Sequence, residues 1–540
     1  MLKRLVENWL TSLSERKDLD IPFRLLLEAE GHVAIAHATV HGPMELGKDI
    51  ISWHPQQKQF FFFQLKAGDA TLSDWNEMER QIRQLVEVPY VHPNYTIGDP
   101  YKPIWVCTGQ LQESVRLSLG LQNEDLRRLG KPPVEVWDRN QLIEKFVAAF
   151  FTLPFVSDTF IVDFLRRWSH TSEYLTDEDE LRVFFSRTLF ALPAAKPREM
   201  KHHLATYALV VAQLSQRYLS LDDAYSAIDC AILGAIQLYD FIENQRIAER
   251  MYHASLQIVQ ESIRFLLQTF VEDCEADQKQ IEELFDDSIG FTEIFELPLR
   301  VHSMASKLGL SLLLKALDGK DFSKESHLLQ LVISHHPAFC HLISERQMGT
   351  WWVALIALLR TGQREQTAEC VEQTFDWLMQ CHGKEQIGLP DPYQPYRYAV
   401  NHQMRIETDN MRLLNMNGQS YMLPMLLKLL CYLAKREVVA KSWNVLSRMQ
   451  LREYFPANVQ DLLAYRPKTG KMKLSGFPVT GSWSALQRQY TERLTGDMAL
   501  FAQKHPESLL MLALAYPWHT QWGVSISNPA FCTLSVSSRE

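Results

Sequence analysis

The stretch Gly42-Pro-Met-Glu-Leu-Gly-Lys-Asp-Ile-Ile-Ser-Trp53, followed after a turn by Lys58-Gln-Phe-Phe-Phe-Phe-Gln-Leu-Lys-Ala67, decides the fold of the N-terminal region. Its apolar runs predict two strands, 47–53 and 59–66, which are joined by a loop from Pro55 to Lys58. The run of phenylalanines fills both faces of the second strand. This pattern is typical of an interior strand that is covered by helices on each side.

The short loop predicts the register of this antiparallel pair. It sets Asp49 opposite Gln64 and Gly47 opposite Lys66. Because side chains alternate along a strand, Gln64 and Lys66 share one face, and Asp49 lies beside them on the same face. A carboxylate, an amide oxygen and an ammonium are therefore predicted to converge there.

These three residue types suit the metal-assisted hydrolysis of a phosphodiester. Mg²⁺ and Mn²⁺ prefer oxygen ligands, so Asp49 and Gln64 are the predicted metal ligands. Glu45 is predicted either to complete the shell or to favour a second metal. A bound metal polarises the phosphoryl oxygen and activates a water molecule. Lys66 is predicted to orient that water and to stabilise the developing negative charge, so the predicted catalytic residues are Asp49, Gln64 and Lys66.

The sequence Gly-Lys-Asp49, the hairpin and Gln64-Leu-Lys66 together resemble the core of the PD-(D/E)xK restriction-endonuclease-like superfamily. The resemblance is to the branch in which glutamine replaces the second acid, and it covers about 150 of the 540 residues. It implies an α/β nuclease domain that cuts nucleic acid, with DNA favoured over RNA. Inactive relatives with binding roles are common in this superfamily, which keeps an interaction scaffold as the alternative.

The resemblance also implies supporting residues outside the hairpin. The helix that follows the Gln-x-Lys strand often presents a polar residue to the site, and Gln81 and Gln84 are the candidates here. The first helix often donates a glutamate, for which Glu28 and Glu30 are the candidates. A later strand and helix, 134–143, are similar to the last strand and helix of such domains.

Two other motifs in this region point to different chemistry and are rejected. Gly42 to Lys48 matches a phosphate-binding P-loop, but the next residue is Asp49 where Ser or Thr must bind Mg²⁺, and Ile50 to Trp53 continues as a strand instead of opening a helix. The histidines lack a nucleophile at a Gly-rich elbow, so they are predicted to be structural: His32, His37, His41 and His54.

The order of elements in residues 1–150 predicts a mixed sheet with helices on its faces. Two helical segments come first, and then three strands followed by helix, strand, helix, strand and helix. The helix after the hairpin is predicted at 73–87, with Asp74 at its start and one apolar stripe. The stripe consists of Trp75, Met78, Ile82, Leu85 and Val86.

The remainder of the chain predicts a large all-α region. Helical pairs are predicted to turn at 219–224, 361–366 and 434–437, and they weakly resemble tetratricopeptide-like repeats, although no fixed period can be laid over them. The predicted domains are a nuclease-like domain at 1–155, a helical array at 156–400 and a helical continuation with an irregular tail at 401–540. Such arrays bind proteins, oligomerise or relay a signal along a concave face. The alternative is one compact helical domain without a binding groove.

Composition limits the range of functions. The net charge of −9 is spread along the chain and argues against a general affinity for nucleic acid, so any contact with nucleic acid is predicted to be local. The eight cysteines are scattered singly without zinc-site spacing, and the basic loop 466–473 is predicted to be solvated. No membrane span and no secretory signal are expected, which predicts a cytoplasmic protein. The resemblance, together with the long helical region, implies a nuclease of restriction or anti-phage defence type that is regulated by a protein partner or by homo-oligomers of its helical region.

Overall fold

The structure, a computed structural model, describes most of the chain. The described residues are 2–13, 16–37, 47–88, 95, 98–150, 178–190, 197–278, 281, 293–334, 336–383, 388–394, 399, 418–465, 471–476, 483–484 and 497–516.

The N-terminal region forms a mixed five-stranded sheet in which spatial order follows chain order. The first three strands pair antiparallel, and the last two add in parallel to the third. The strands are β1 (Val33–His37), β2 (Ile50–His54), β3 (Gln59–Lys66), β4 (Tyr101–Cys107) and β5 (Glu135–Trp137). The predicted sheet of mixed direction is confirmed.

Helices cover both faces of this sheet, as predicted. Two of them form the crossovers that parallel strands need, and the others precede or follow the sheet in sequence. They are α1 (Leu2–Ser12), α2 (Arg16–Ala29), α3 (Leu72–Glu87), α4 (Glu113–Arg128) and α5 (Arg139–Ala148). The N-terminal region is therefore α/β.

The phenylalanines of β3 divide between two apolar layers. Phe60 and Phe62 pack in one cluster with residues of α3 and α4, including the whole predicted stripe of α3. Phe63 lies against Phe23 of α2, with ring centroids 5.2 Å apart, and against Trp137 of β5 at 5.5 Å. By alternation, Gln64 and Lys66 lie on the α3 face of the sheet.

The start of α3 differs from the prediction. Thr71 is the N-cap, and Asp74 is the third helical residue of a capping box in which each side chain bonds the backbone of the other residue. Asp74 Oδ2 accepts hydrogen bonds from Thr71 N at 2.9 Å and from Thr71 Oγ1 at 2.6 Å. The predicted start at about 73 is within one residue of the observed start at Leu72, whereas the prediction of Asp74 as the capping residue was wrong by three positions.

The rest of the described chain is mostly helical. The helices are α6 (Glu178–Phe190), α7 (Pro197–Ser220), α8 (Ala224–Gln245), α9 (Glu249–Ala276), α10 (Glu293–Leu317), α11 (Ser323–Ser334), α12 (His336–Cys340), α13 (Met348–Arg360), α14 (Arg364–Gly383), α15 (Leu423–Tyr432), α16 (Arg436–Lys441), α17 (Trp443–Leu446), α18 (Val459–Leu463), α19 (Asp497–Lys504) and α20 (Pro506–Ala515), with a 3-10 turn at Glu345–Gln347. All three predicted helical turns are confirmed.

The prediction of an all-α C-terminal region was wrong, because three strands form a second sheet there. They are β6 (Gln419–Ser420), β7 (Gln450–Phe455) and β8 (Lys471–Gly476), in that order across the sheet. The β6–β7 pair is parallel, and β7 and β8 pair antiparallel. Residues 471–473 of the predicted basic loop therefore lie in β8, while 466–470 fall outside the described residues.

The chain divides into two compact units, Met1–Arg217 with Ile247–Glu261, and Tyr218–Arg246 with Ser262–Glu540. Among the described residues, one helix, α8, has the length and apolar composition of a membrane span. Of its most apolar window 78% is buried inside the fold, which is typical of a core helix. The helix is therefore weak evidence for a membrane.

His32 is expected to make the N-terminal unit sensitive to acid. Its Nδ1 lies 2.8 Å from Ser52 Oγ, and burial, followed by the nearby His54 and Lys145, lowers its pKa from 6.5 to about 4. The unfolded chain therefore binds a proton between pH 6.5 and 4 that the folded chain does not bind. We expect the free energy of unfolding to fall as the pH falls through this window.

His32→Gln tests this expectation against the exposed control His253→Gln. Hydrogen exchange of the β3 amides, followed from pH 7 to 4 and corrected for the intrinsic exchange rate, reports the stability of the sheet. His32→Gln should flatten the loss of protection, whereas the control should behave like the wild type. An unchanged slope in His32→Gln would assign the acid sensitivity to other groups.

Candidate functional site

The predicted register of the hairpin is confirmed along the whole of β2. Ile50 pairs with Phe63, and the ladder continues through to His54 and Gln59 around the predicted loop. The two pairs predicted beyond it, Asp49 with Gln64 and Gly47 with Lys66, are not part of this ladder, so that part of the prediction was wrong. The chain leaves the ladder at Asp49 because it turns toward α3.

Gly47 and Lys48 attach this turn to the C-terminal half of α3. Gly47 has φ +71°, and a Cβ atom at this position would lie 2.2 Å from Gln81 O. Lys48 is 5% exposed, and its Nζ donates to Gln84 O at 3.0 Å and to Val88 O at 2.9 Å. Its ammonium thus neutralises the carbonyl end of the helix, while burial lowers the pKa of Lys48 to about 8.

Asp49 lies at the entry to β2 and is 3% exposed. Its N–H donates to Phe63 O at 2.8 Å, and its Oδ2 accepts from Leu65 N at 2.6 Å. The carboxylate thus takes the place that a backbone carbonyl would fill if β2 were longer. This bond holds the carboxylate next to Leu65, which lies between Gln64 and Lys66 in β3.

Gln64 presents a buried carboxamide on the α3 face. The residue is 6% exposed, and its Nε2 makes a long contact of 3.5 Å with Gln81 Oε1. Gln64 Oε1 is buried and accepts no hydrogen bond from the residues that the structure describes. A buried amide oxygen without a donor is costly, so this atom is suited to a ligand that the chain itself does not supply.

Lys66 is the last residue of β3, and its ammonium forms an ion pair with Asp74. The sequence analysis predicted Asp74 only as a residue at the start of a helix. Lys66 Nζ lies 2.7 Å from Asp74 Oδ1, and each side chain is 26% exposed. The hydrogen bond from Lys66 and those from Thr71 lower the pKa of Asp74 to about 2. The Asp74 carboxylate is therefore ionised at neutral pH, and it accepts from one of the three N–H donors of the Lys66 ammonium.

A second polar cluster lies at the carboxyl ends of β3 and β4, and the sequence analysis missed it. Arg139, the first residue of α5, donates to Asp69 Oδ1 at 2.8 Å and to Thr108 O at 3.2 Å. Lys66, Asp69 and Arg139 all lie close enough to Cys107 to affect its pKa, which burial raises to about 11. Ligand sites commonly lie at the carboxyl ends of parallel strands. The predicted order of strands and helices already implied parallel strands here, so the sequence carried a signal for this cluster.

The structure treats the supporting candidates differently. Gln81 contacts Gln64, whereas the backbone carbonyl of Gln84 accepts a hydrogen bond from Lys48 Nζ. Glu30 accepts hydrogen bonds from Lys145, whose ammonium lies 4.0 Å from the Trp137 ring centroid on the opposite face of the sheet. Glu28 is exposed at the end of α2. Glu45 lies outside the described residues.

The donor set has the chemistry of a weak divalent-cation site. Asp49 supplies a carboxylate and Gln64 a buried oxygen without a donor, and both are hard ligands of the kind that Mg²⁺ and Mn²⁺ take. Within the described ranges, no group of three or more His, Cys, Asp or Glu residues is arranged to hold a metal. A cation here would therefore need a substrate phosphate and water as further ligands.

No protein-family model, no curated protein and no solved structure matches this chain.

Proposed function

We propose that the N-terminal unit is a metal-dependent nuclease of the PD-(D/E)xK type that hydrolyses phosphodiester bonds, with DNA as the favoured substrate. One observation carries the proposal. The Asp49 carboxylate accepts a hydrogen bond from the N–H of Leu65, the residue between Gln64 and Lys66, and Gln64 Oε1 is buried without a donor among the described residues. A carboxylate just before β2 thus lies next to the end of β3 that carries an amide oxygen and an ammonium.

The roles follow from the chemistry of each group. Asp49 and Gln64 would hold Mg²⁺ or Mn²⁺, which supplies polarisation of the phosphoryl oxygen and a more acidic bound water. Lys66 orients the attacking water with its remaining N–H donors and offsets the charge that develops on the phosphate. Asp74 holds the ammonium in place, because its own carboxylate is fixed by two bonds from Thr71.

The remainder of the chain is proposed to regulate this site. The net charge of −9 provides little general affinity for nucleic acid, so activity is expected to depend on assembly or on a protein partner that the helical array binds. A nuclease under such control fits a cytoplasmic role in restriction or anti-phage defence. That role is inferred from the resemblance and the order of domains.

The direct test is cleavage of plasmid DNA and of single-stranded RNA with Mg²⁺, with Mn²⁺ and with EDTA. Wild type is compared with Asp49→Asn, which keeps an oxygen that accepts from Leu65 N–H but loses the charge that binds a cation. Cutting of DNA that needs the metal and fails in Asp49→Asn supports the proposal. Cutting that persists in EDTA or in Asp49→Asn contradicts it.

Gln64→Glu should strengthen metal binding, because it adds a negative charge to a site with one carboxylate. We expect the affinity for Mn²⁺ to rise by at least tenfold by calorimetric titration. Without metal the variant should be less stable than wild type, since position 64 is 6% exposed and a buried carboxylate is costly. Mn²⁺ should then raise its melting temperature more than that of wild type.

Gln57→Glu is the matched control for this gain. It adds the same charge at an exposed position of the hairpin loop. If both variants gain Mn²⁺ affinity equally, the gain reflects net charge and gives no support to a site at Gln64.

An inactive scaffold is the second candidate, and burial of the site favours it. Asp49 is 3% exposed and Gln64 is 6% exposed, so neither lies in an open cleft. In this alternative, Asp49 only ends a strand and the helical array binds another protein. Absence of Mn²⁺ binding by both wild type and Gln64→Glu would favour the scaffold.

A further inference from the structure

Glu345 is a glutamate that lies in the core of the second compact unit. It begins the 3-10 turn and is 0% exposed, although glutamate is rarely buried completely. Its Oε2 accepts a hydrogen bond from Tyr421 N at 2.8 Å, and its Oε1 accepts from Met422 N at 3.3 Å and from the Ser420 hydroxyl. Ser420 Oγ in turn accepts from Leu423 N at 2.9 Å. One carboxyl group thus bonds the backbone at the start of α15.

This contact joins parts of the second unit that lie far apart in sequence. Ser420 follows Glu345 by 75 residues. The 3-10 turn is also bonded to a third segment, because Glu345 N and Ser344 Oγ donate to Pro390 O at 3.0 and 3.2 Å. We call the contact among the segments 344–347, 390–391 and 420–423 the Glu345 junction. A single buried carboxyl group thus lies where these three segments meet.

Asp391 is the charged neighbour that most affects the Glu345 carboxyl group. Its side chain is 14% exposed, and its Oδ2 lies 3.7 Å from Arg452 Nη1 of β7. Arg452 also donates to Gln419 Oε1 at 2.9 Å and to the Tyr421 hydroxyl at 3.2 Å. Burial, with a smaller effect of Asp391, raises the pKa of Glu345 from 4.5 to about 7, although its three hydrogen bonds act in the opposite direction.

We propose that the Glu345 junction is a pH-responsive latch, which holds the start of α15 while Glu345 is a neutral acid and releases it more readily once Glu345 is ionised. A neutral carboxyl group still accepts hydrogen bonds from backbone N–H groups. An ionised carboxylate must instead stay buried beside Asp391, and opening of the junction to water removes this cost. The latch belongs to the helical region and does not rest on the proposed nuclease site.

The direction of the pH dependence follows from the raised pKa of Glu345. Between pH 4.5 and 7 the closed junction holds a proton that the open junction has lost. The closed form is therefore most stable below pH 4.5, and this stability is lost as the pH rises to 7. One proton changes the opening constant by about tenfold per pH unit, and above pH 7 Glu345 is ionised in both forms.

A histidine beside the junction acts in the opposite direction. His382 of α14 accepts a hydrogen bond from Gly418 N through its Nδ1 at 3.0 Å, and burial lowers the pKa of His382 to about 4. Acid therefore favours release of this contact. The effect of Glu345 must be measured against a variant that lacks only its carboxyl group.

The other charged groups of the junction are less able to imitate this effect. Burial raises the pKa of Tyr421 to about 12, far above the range in question. Arg346 and Arg452 stay charged at every pH. Burial also raises the pKa of Asp391, which gives a pH dependence of the same direction as that of Glu345. Asp391 is therefore the group that the experiment must separate from Glu345.

The test is hydrogen exchange of the full chain from pH 4.5 to 8, corrected for the intrinsic exchange rate and measured by mass spectrometry on a peptide that covers 420–426. The measured quantity is the opening constant of wild type divided by that of Glu345→Gln. Because both proteins contain His382, its effect cancels in this ratio. The ratio should rise by about tenfold per pH unit from 4.5 to 7 and then level off. A ratio that does not change with pH overturns the proposal.

Asp391→Asn tests the latch with Glu345 in place, and it also decides the question if Glu345→Gln does not fold. Loss of the neighbouring charge should lower the pKa of Glu345, so the rise should end at a lower pH than in wild type. If the rise disappears in Asp391→Asn, Asp391 is the titrating group and the proposal fails. Glu365→Gln, at an exposed position of α14, is the matched control and should follow wild type at every pH. None of these results depends on nuclease activity.

Discussion

We expect Lys66→Met to lower metal-dependent cleavage by about 10²- to 10⁴-fold, the range that a positioned proton-transfer or charge-stabilising group contributes. Methionine keeps most of the aliphatic length of the side chain and removes the ammonium. Asp74, the partner of Lys66 at 2.7 Å, is 26% exposed and keeps its bonds from Thr71. The fold should therefore lose no more than about 1 kcal/mol of stability, as is usual for partly exposed ion pairs.

Initial rates of plasmid nicking in Mn²⁺ measure this loss, and Lys131→Met, an exposed lysine of the same unit, is the control. Because Lys66 is not a proposed metal ligand, the Mn²⁺ affinity of Lys66→Met should stay within threefold of wild type. A variant that binds Mn²⁺ and cuts at the wild-type rate would remove Lys66 from the mechanism. A variant that no longer binds Mn²⁺ would reassign Lys66 to metal-site structure.

The hairpin was predictable because its determinants are local. A loop from Pro55 to Lys58 between two apolar runs fixes the register, and the confirmed pairs from Ile50–Phe63 to His54–Gln59 follow from it. The apolar stripe of α3 was predictable for the same reason, since the helical spacing of its apolar residues can be recognised within one short segment. The sequence also provided the signal for the cap that was missed, because Thr71-x-x-Asp74 has capping-box spacing.

The end of β2 was not predictable in this way, because it depends on tertiary contact. Nothing in the spacing of Gly47-Lys48-Asp49 says that the first residue must touch the α3 backbone or that the second must cap its carbonyls. The sheet of β6, β7 and β8 was not predicted for a related reason. β6 has two residues and pairs with a strand about thirty positions later, so it leaves no periodic pattern.

We expect Gly47→Ala to destabilise the N-terminal unit by about 2–5 kcal/mol, the sum of two separate costs. The left-handed conformation at φ +71° costs an L-residue about 1–2 kcal/mol. The new methyl group would also lie 2.2 Å from Gln81 O and 2.9 Å from Leu85 N, which are backbone atoms of α3 and cannot rotate away. Overpacking of this kind costs about 1–3 kcal/mol.

Gly130→Ala separates the two costs, because Gly130 has φ +69° and, apart from its chain neighbours, no described residue has an atom within 4 Å of an added Cβ. It should lose only the conformational cost, about 1–2 kcal/mol. The two variants are compared in the full chain by urea unfolding that is monitored through hydrogen exchange of the β3 and α3 amides. Equal losses would mean that α3 yields freely to the methyl group. A larger loss in Gly47→Ala would tie the Gly-Lys-Asp turn to α3, and hence Asp49 to the helix that carries Asp74 and Gln81.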